Sequence, residues 1–263
     1  MCREWSYRTF RSRKPRLGRY QPHQAGISFL VVGRAAERAR RPGLRALPGV
    51  VSSAYMGSVV SVNVSPIRTI QRNDATITTG IYKMPVAGRV ALQGVNFAGD
   101  DQADRTAHGG PIRAVYAYAA EYDWWSAERE TDLAPGKFGK NLTLRGIDVT
   151  GAKIGERWRV GSAILHVTSP RVPCYKLAMT MDDSTFVKHF AQALRPGAYL
   201  GIERAGDVGA GDDVERLSRP DHDLTIGEMT RLYFFDRKHV RKMLVPELPK
   251  EWQQWVFEHS AEM

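Results

Sequence analysis

The sequence predicts a mainly β protein with a barrel-like core and a small C-terminal helical appendage. From Met56 to about Pro220, short β-rich runs alternate with Gly, Pro and Asp turns, a pattern typical of barrels and sandwiches. After Pro220, helix caps and helical spacing take over, whereas the residues before Met56 are rich in arginine and show no sustained period. We therefore expect three segments: a disordered or non-native extension at 1–55, a β-rich domain at 56–220 and three helices at 221–263.

The net charge of +10 belongs to the extension. Residues 1–55 hold 12 of the 38 Lys and Arg residues and two of the 28 Asp and Glu residues, so the rest of the chain is electroneutral. Such a leader is compatible with a transit peptide or with an arm that binds polyanions. We interpret it as a disordered extension, place the start of the working chain near Met56, and expect no stable nucleic-acid partner.

Composition excludes several classes of protein. No apolar run approaches the roughly 18 residues that a membrane span requires, so we expect no membrane partner and a cytoplasmic location. The two cysteines, Cys2 and Cys174, are too few for a disulfide framework or a multi-thiolate zinc site. A length of 263 residues suits one large domain, or one domain with an appendage.

Local patterns divide the β-rich segment into elements. Alternating valines are typical of a half-buried strand, and a Gly-Ser pair between two β-rich runs is typical of a hairpin turn. In chain order, the patterns predict a strand at valines 60, 62 and 64, a buried strand at 113–118, a helix at 119–130, a hairpin of 156–160 and 163–168, and strands at 198–204 and 214–217 around a turn at 206–213.

Two helix starts carry capping signals. Asp182 or Asp183 is placed to cap a helix that continues to about Leu194. Thr225 and Glu228 form a capping box, in which each side chain satisfies a backbone N–H of the first helical turn. Apolar spacing after this box predicts helices at 226–233, 237–244 and 251–259.

The chain lacks most familiar catalytic motifs, but one cysteine stands in an unusual setting. There is no Gly-rich phosphate loop, GxSxG, HExxH or GxGxxG motif in a suitable context. Cys174 lies in the segment SPRVPCYK (169–176), where the charges of Arg171 and Lys176 favour the reactive thiolate. Most single cysteines are inert and buried, so a functional and a structural Cys174 both stay open on spacing alone.

Two further clusters carry polar side chains. In GDDQADRTAHGGP (99–111), Asp104 and His108 are candidates for a hydrogen-bonded pair. Both residues are also compatible with a polar loop whose side chains form hydrogen bonds with its own backbone. Asp100 and Asp101 are better explained as loop residues. In TTGIYK (78–83), Thr79 and Lys83 offer a hydroxyl and a cation, whereas an isolated strand lysine is more often solvated.

These motifs, in this order, resemble the MOSC domain family, which shares its fold with the C-terminal part of molybdenum cofactor sulfurases, and within it the stand-alone bacterial, YiiM-like branch. The likeness covers most of 56–263. The segments that carry it are TTGIYK (78–83), GDDQADRTAHGGPIRAVYAY (99–118), FGKNLT (138–143), IGERWRVGSAILHVTSPRVPCYKLA (154–178) and GAYLGIERAGDVGAGD (197–212).

The resemblance implies a barrel-like protein that binds the pyranopterin molybdenum cofactor and reduces N-hydroxylated small molecules, such as hydroxylamino purines. Cys174 would ligate molybdenum or carry sulfur, as suits a soft thiolate. Asp104, His108 and Asn141 would shape the pocket or relay protons, with His108 as the preferred general acid. The side chains implied for cofactor binding are those of Thr79, Lys83, Arg113, Asn141, Arg171 and Lys176.

One position departs from the family pattern. In the segment FGKNLT (138–143), Lys140 stands where the family usually has an acidic residue. This difference predicts an altered substrate specificity or an added contact with the cofactor phosphate. The expected partners are a flavoprotein electron donor and a second copy of the chain as a homodimer. The rival functions are a sulfur-carrier or cofactor-delivery module served by a pyridoxal-phosphate-dependent desulfurase, and a cofactor-binding protein without activity.

Overall fold

The computed structural model describes residues 54–72, 74–105, 109–118 and 121–260. The expected extension at 1–55 therefore lies almost wholly outside the described residues, and its disorder stays a prediction. His108 lies outside them as well. Within the described ranges, no helix is both long and apolar enough to cross a bilayer.

Among the described residues, thirteen strands account for most of the regular structure. They are β1 (Ala54–Val64), β2 (Arg68–Arg72), β3 (Ala75–Thr79), β4 (Met84–Pro85), β5 (Arg89–Gln93), β6 (Asn96–Phe97), β7 (Val115–Tyr118), β8 (Leu142–Arg145), β9 (Arg157–Val160), β10 (Ala163–Pro170), β11 (Ala198–Arg204), β12 (Gly206–Gly209) and β13 (Asp213–Ser218).

Seven of these strands close into a barrel. Their order is β13, β9, β10, β11, β7, β8 and β1, and β1 pairs back onto β13. Only the β7–β8 pair of the barrel is parallel. The mainly β, barrel-like fold predicted from the sequence is confirmed, and the Gly-Ser hairpin is the β9–β10 pair, in which Ala163 faces Val160.

The first strand does not alternate as simply as its valines suggest. Register shifts in β1 against both β8 and β13 bury Val59 and Val62 and leave Val60 and Val64 half-buried. An extra residue in one strand of a pair changes which face the following side chains occupy. Gly57 lies in this irregular stretch, where a Cβ atom would stand 2.0 Å from the carbonyl oxygen of Arg145 on β8.

Two small sheets stand beside the barrel. Strands β12, β5 and β6 form one of them, so the segment that we predicted as a turn at 206–213 contains a short strand. Strands β2 and β3 form an isolated hairpin whose residues are mostly exposed. The hairpin contacts the helix that begins at Tyr175, where Arg72 donates to the carbonyl of Met179 and pairs with Asp182.

Five α-helices and two 3-10 helices complete the regular structure of the described ranges. The α-helices are α1 (Glu121–Glu128), α2 (Tyr175–Met181), α3 (Phe186–Gln192), α4 (Ile226–Phe235) and α5 (Lys250–Ser260), and the 3-10 helices are Pro111–Arg113 and Arg237–Met243. The C-terminal helices bury Met229, Leu232 and Val256 in the same apolar core as Trp158 and Leu165 of the barrel. Burial of this shared core stabilises the packing of the helices on the barrel.

The predicted aspartate cap is wrong. Helix α3 begins at Phe186 after Thr185, and no side chain caps it. The Asp183 carboxylate instead accepts bonds from the backbone N–H and hydroxyl of Thr185 and pairs with Arg129, while Asp182 ends α2 in a left-handed conformation. These bonds, from Thr185 first and from Arg129, lower the pKa of Asp183 to about 2.

Half of the predicted capping box is present in α4. The Thr225 hydroxyl accepts the backbone N–H of Glu228 at 3.1 Å. The Glu228 carboxylate does not return the bond, because it pairs with Arg231 one turn later.

The capping geometry predicts unequal effects of two substitutions. Thr225→Ala should lower the free energy of unfolding by about 1 kcal/mol, since it leaves a helix N–H without its partner. Glu228→Gln should cost no more than about 0.5 kcal/mol, because an exposed ion pair contributes little. Urea unfolding of both variants measures the difference. A Glu228→Gln effect as large as that of Thr225→Ala would contradict the small contribution expected of the Glu228–Arg231 ion pair.

Candidate functional site

A cleft of about 700 Å³, including the solvent space at its mouth, opens where β10 ends and where β8 and β11 begin. Loops from five parts of the chain reach it. Its lining comprises Thr79, Gly80, Ile81, Lys83, Asp100, Asp101, Gln102, Ala103, Asp104, Arg113, Tyr116, Gly139, Asn141, Arg171, Val172, Cys174, Lys176 and Tyr199.

Cys174 reaches the cleft from the short loop between β10 and α2. Strand β10 ends at Pro170, and the Cys174 carbonyl accepts the N–H groups of Leu177 and Ala178 at 2.9 and 3.4 Å, which ties its backbone to the first turn of α2. The residue is half-buried and forms no disulfide. A free thiol is thus held at the edge of the cleft on a backbone that is bonded to α2.

Arg171 brings a buried charge to the same loop. The residue is 6% exposed, and its guanidinium carbon lies 4.8 Å from the centre of the Tyr116 ring. Its Nε has no hydrogen-bond partner, and no carboxylate of the described residues forms an ion pair with it. A buried charge without a counterion has an unfavourable desolvation free energy. An anion in the cleft would offset this energy by pairing with the guanidinium.

Lys83 is the second buried cation, and it is paired. Its ammonium group donates to Asp100 Oδ1, and both side chains are buried. Burial lowers the pKa of Lys83, against the opposing effect of Asp100. Lys83 therefore adds less net charge to the cleft than Arg171 does.

Asp100 is the centre of the polar network on this side of the cleft. Its Oδ1 also accepts the backbone N–H of Ser65 at 2.9 Å, and its Oδ2 accepts Asn141 Nδ2 at 2.9 Å. Asn141 in turn accepts the backbone N–H of Tyr116 through Oδ1 at 3.1 Å. The network links the loop before β2, the loop after β6, the loop before β8, and β7, so it fixes how these segments meet.

Two side chains connect neighbouring edges of the cleft by hydrogen bonds to backbone carbonyls and amides. Lys176 Nζ donates to the carbonyl of Thr78 at 2.8 Å and so connects α2 to the β2–β3 hairpin. Gln102 accepts the N–H of Gly110 at 2.8 Å and donates to the carbonyl of Arg113 at 3.3 Å. A Cβ atom on Gly109 would stand 2.2 Å from the Gln102 side chain, which explains a glycine there.

The structure places almost all of the sequence-predicted site residues around this one cleft. Asp104, Thr79, Lys83, Arg113, Asn141, Arg171, Cys174 and Lys176 all line it. His108 lies outside the described residues, so its predicted pairing with Asp104 stays a prediction. The roles of these side chains are likewise predictions, which the experiments below address.

Sequence reasoning missed several members of the site. Asp100 was interpreted as an ordinary loop residue, although its carboxylate organises the network described above. Gln102, Tyr116 and Tyr199 carried no signal, because a lone glutamine and strand tyrosines are common in any β-rich domain.

Lys140 does not lie in the cleft, although its neighbour Asn141 does. Its side chain is fully buried, with Nζ 5.7 Å from the ring centre of Tyr118 and 6.0 Å from that of Phe138. It belongs to an aromatic cluster behind the cleft, together with Trp125 and Phe186, and does not line the cleft itself. The expectation that it adds a phosphate contact in the cleft is therefore wrong.

The donor set of the cleft fits a group that brings most of its own ligands. Across the described ranges, no three or more His, Cys, Asp or Glu side chains gather as a metal site. A single thiol beside an uncompensated guanidinium instead suits an anionic, soft-metal group with one free coordination position. The molybdenum cofactor implied by the motifs meets both requirements.

A closed β-barrel with a cationic cleft around one cysteine defines a small class of proteins, and comparison with known proteins specifies the family. The MOSC domain model matches residues 104–215. YflK of Bacillus subtilis is 35% identical over 184 residues, which cover 70% of this chain and 83% of YflK. The chain belongs to the MOSC domain family, as the order of its motifs predicted.

Two further relatives extend the comparison. The crystal structure of YiiM from Geobacillus stearothermophilus superimposes with a TM-score of 0.64 at 25% identity, covering 77% of this chain and 98% of that chain. A protein of Gibberella moniliformis named reductase is 32% identical over 149 residues, which cover 55% of this chain but only 26% of that protein. The likeness therefore reaches both a stand-alone protein and a part of a much longer chain.

Proposed function

We propose that the protein binds the molybdenum cofactor in the cleft and reduces N-hydroxylated small molecules, such as hydroxylamino purines. The observation that carries this proposal is the pairing of a free thiol, Cys174, with the buried and unneutralised guanidinium of Arg171 on one loop. An apolar or cationic ligand would leave that charge uncompensated. An anionic cofactor with a soft metal satisfies both groups at once.

Different residues of the cleft would bind different parts of the cofactor. Cys174 would provide the thiolate ligand, and Arg171 would bind the phosphate as a planar, multidentate donor. Arg113 and Lys176 line the cleft in positions to add charge, and Asn141 shapes the floor while bonded to Asp100. When bound, the cofactor supplies two-electron redox chemistry, which no side chain of the protein provides.

The reaction needs an external source of electrons. Reduction of R–NHOH to R–NH2 and water consumes two electrons and two protons. The similarity to one quarter of a longer protein named reductase supports a redox role for this domain, in company with other protein modules. We infer that a separate flavoprotein donates the electrons to this chain.

A reconstituted assay tests the proposed function. Cofactor-loaded protein, NADH and a flavin reductase should convert 6-hydroxylaminopurine to adenine, and omission of either protein should stop the conversion. Persulfide on Cys174 in a protein without molybdenum would favour the sulfur-carrier function instead. Absence of both persulfide and turnover would leave a cofactor-binding protein without activity.

Arg171 and Lys176 flank Cys174 and differ in burial, so we expect them to contribute unequally to anion binding. Lys176→Met should weaken binding of inorganic phosphate to the apo-protein by about two- to fivefold at low salt, because a partly exposed charge is screened by solvent and ions. At high ionic strength the variant and the wild type should bind alike. Calorimetric titration at two salt concentrations measures both values, and a loss at high salt that equals the loss at low salt would contradict the screened role.

A further inference from the structure

We propose that Lys83 is the proton donor of the cleft, and that its ammonium group protonates the hydroxyl oxygen that leaves the substrate nitrogen. This role rests on the reductase activity proposed above and adds a residue to it. It also changes the role expected from the family resemblance, in which Lys83 only holds the cofactor.

Lys83 has unused hydrogen-bond donors inside the cleft. Its side chain is 8% exposed and lines the cleft, and its one hydrogen bond within the described residues goes to Asp100. An ammonium group has three donors, so two remain for a ligand. A buried lysine that serves only to neutralise a carboxylate needs no opening to a cleft.

Asp100 orients the lysine. The carboxylate already accepts the N–H of Ser65 and the amide of Asn141, and these bonds hold it in place. The hydrogen bond to Asp100 Oδ1 therefore fixes the position of the Lys83 ammonium group. The two remaining N–H donors of that group stay available to a ligand in the cleft. Asp100 is a positioning residue in this scheme, since it acts through Lys83.

The surroundings of Lys83 make its proton easier to release than that of an exposed lysine. Burial lowers the pKa of Lys83 most, and the positive charge of Arg171 acts in the same direction, whereas Asp100 and Asp101 oppose them. Among the other cations of the cleft, Arg113 and Arg171 cannot serve, because a guanidinium does not give up its proton in proteins. A general acid works best when its pKa approaches the working pH.

The step balances in atoms and charge. The reduction needs two electrons, which the reduced flavoprotein donor would provide and which the cofactor, when bound, would supply to the substrate nitrogen as the N–O bond breaks. The proton of Lys83 passes to the departing oxygen, which leaves as water, and a second proton from solvent completes the amine. Lys83 then regains a proton from water in the open mouth of the cleft.

Substitution of Lys83 separates proton donation from cofactor binding. Lys83→Met should lower turnover of 6-hydroxylaminopurine at least about 100-fold, the usual share of a general acid, while molybdenum and pterin content per chain stay at the wild-type level. Lys83→Arg keeps the charge and the pair with Asp100 but should be as slow as Lys83→Met. Lys188→Met, an exposed lysine on α3, is the matched control and should retain full turnover.

The pH profile supplies a second measurement. Because the acid must be protonated, wild-type turnover should be constant at low pH and fall as pH rises through the pKa of Lys83. Asp100→Asn removes the main opposing charge, so the fall should move to lower pH. The residual rate of Lys83→Met should show no such fall.

A direct titration keeps the inference independent of turnover. In apo-protein with 13C-methylated lysines, the resonance absent from Lys83→Met should titrate below the ordinary lysine value of about 10.4. A titration at or above that value, wild-type turnover in Lys83→Met, or cofactor loss that matches its loss of activity would each overturn the role of Lys83. An inactive wild type that retains its cofactor would instead overturn the proposed reductase function, and the role of Lys83 with it.

Discussion

Replacing Arg171 with methionine is expected to abolish anion binding in the cleft while leaving the apo-protein at least as stable as the wild type. The guanidinium is buried, and no carboxylate in the described part of the chain forms an ion pair with it, so methionine removes a desolvated charge and keeps a similar volume. Apolar replacements of buried charges are often neutral or stabilising. The lost contact with the Tyr116 ring offsets only part of this gain.

The loss of binding should be large. Removal of one partner of a buried charge pair typically costs about 2–5 kcal/mol of binding energy, or roughly 30-fold and more in affinity. We expect cofactor content per chain to fall below about a tenth of the wild-type level by the same reasoning. Arg171→Lys should be intermediate, since it keeps the charge and loses the planar fork.

Arg145→Met is the matched control for Arg171→Met. Arg145 is an exposed arginine on β8 outside the cleft lining, so its loss should change neither binding nor stability. Calorimetry with inorganic phosphate, cofactor content and urea unfolding provide the three readouts. A variant of Arg171 that keeps its cofactor, or that unfolds far more easily than wild type, would show that the guanidinium has a structural role instead.

Replacing Cys174 with serine is expected to remove molybdenum and activity without unfolding the protein. Serine matches the thiol in size, and the half-buried site should change the free energy of unfolding by no more than about 0.5 kcal/mol. A hard hydroxyl is a poor substitute for a soft thiolate on molybdenum. Turnover should fall at least about 100-fold, since even residues that only support metal ligands contribute 10- to 100-fold.

Cys2→Ser is the natural control, because Cys2 is the other cysteine of the chain. It should retain molybdenum and turnover. Molybdenum retained in Cys174→Ser would show that the thiol is not the ligand. Activity lost with molybdenum retained would favour a sulfur-carrying role for Cys174.

The sequence was sufficient for the family, the barrel and most of the cleft. The segment SPRVPCYK identified Cys174, Arg171 and Lys176 because charge next to a lone cysteine is chemically informative even without a fold. The Gly-Ser turn predicted the β9–β10 hairpin because turn chemistry is local. These features depend on neighbours in the chain, which a sequence displays directly.

The rest depended on contacts between distant segments. Nothing in the sequence shows that Lys83 meets Asp100 while Arg171 meets no carboxylate, although this difference decides which cation is available to an anion. Lys140 also looked like a site residue until its burial against Tyr118 and Phe138 placed it behind the cleft. The helix cap failed because Asp183 had a closer partner in Thr185.

The molybdenum and pterin content of the full-length protein, purified from cells supplied with molybdate, tests the central claim most directly. Elemental analysis should find about one molybdenum atom per chain, and oxidation should release about one fluorescent pterin, as expected for a single thiolate ligand in a single cleft. A protein that contains neither molybdenum nor pterin, and that gains neither when incubated with free cofactor, would contradict the account.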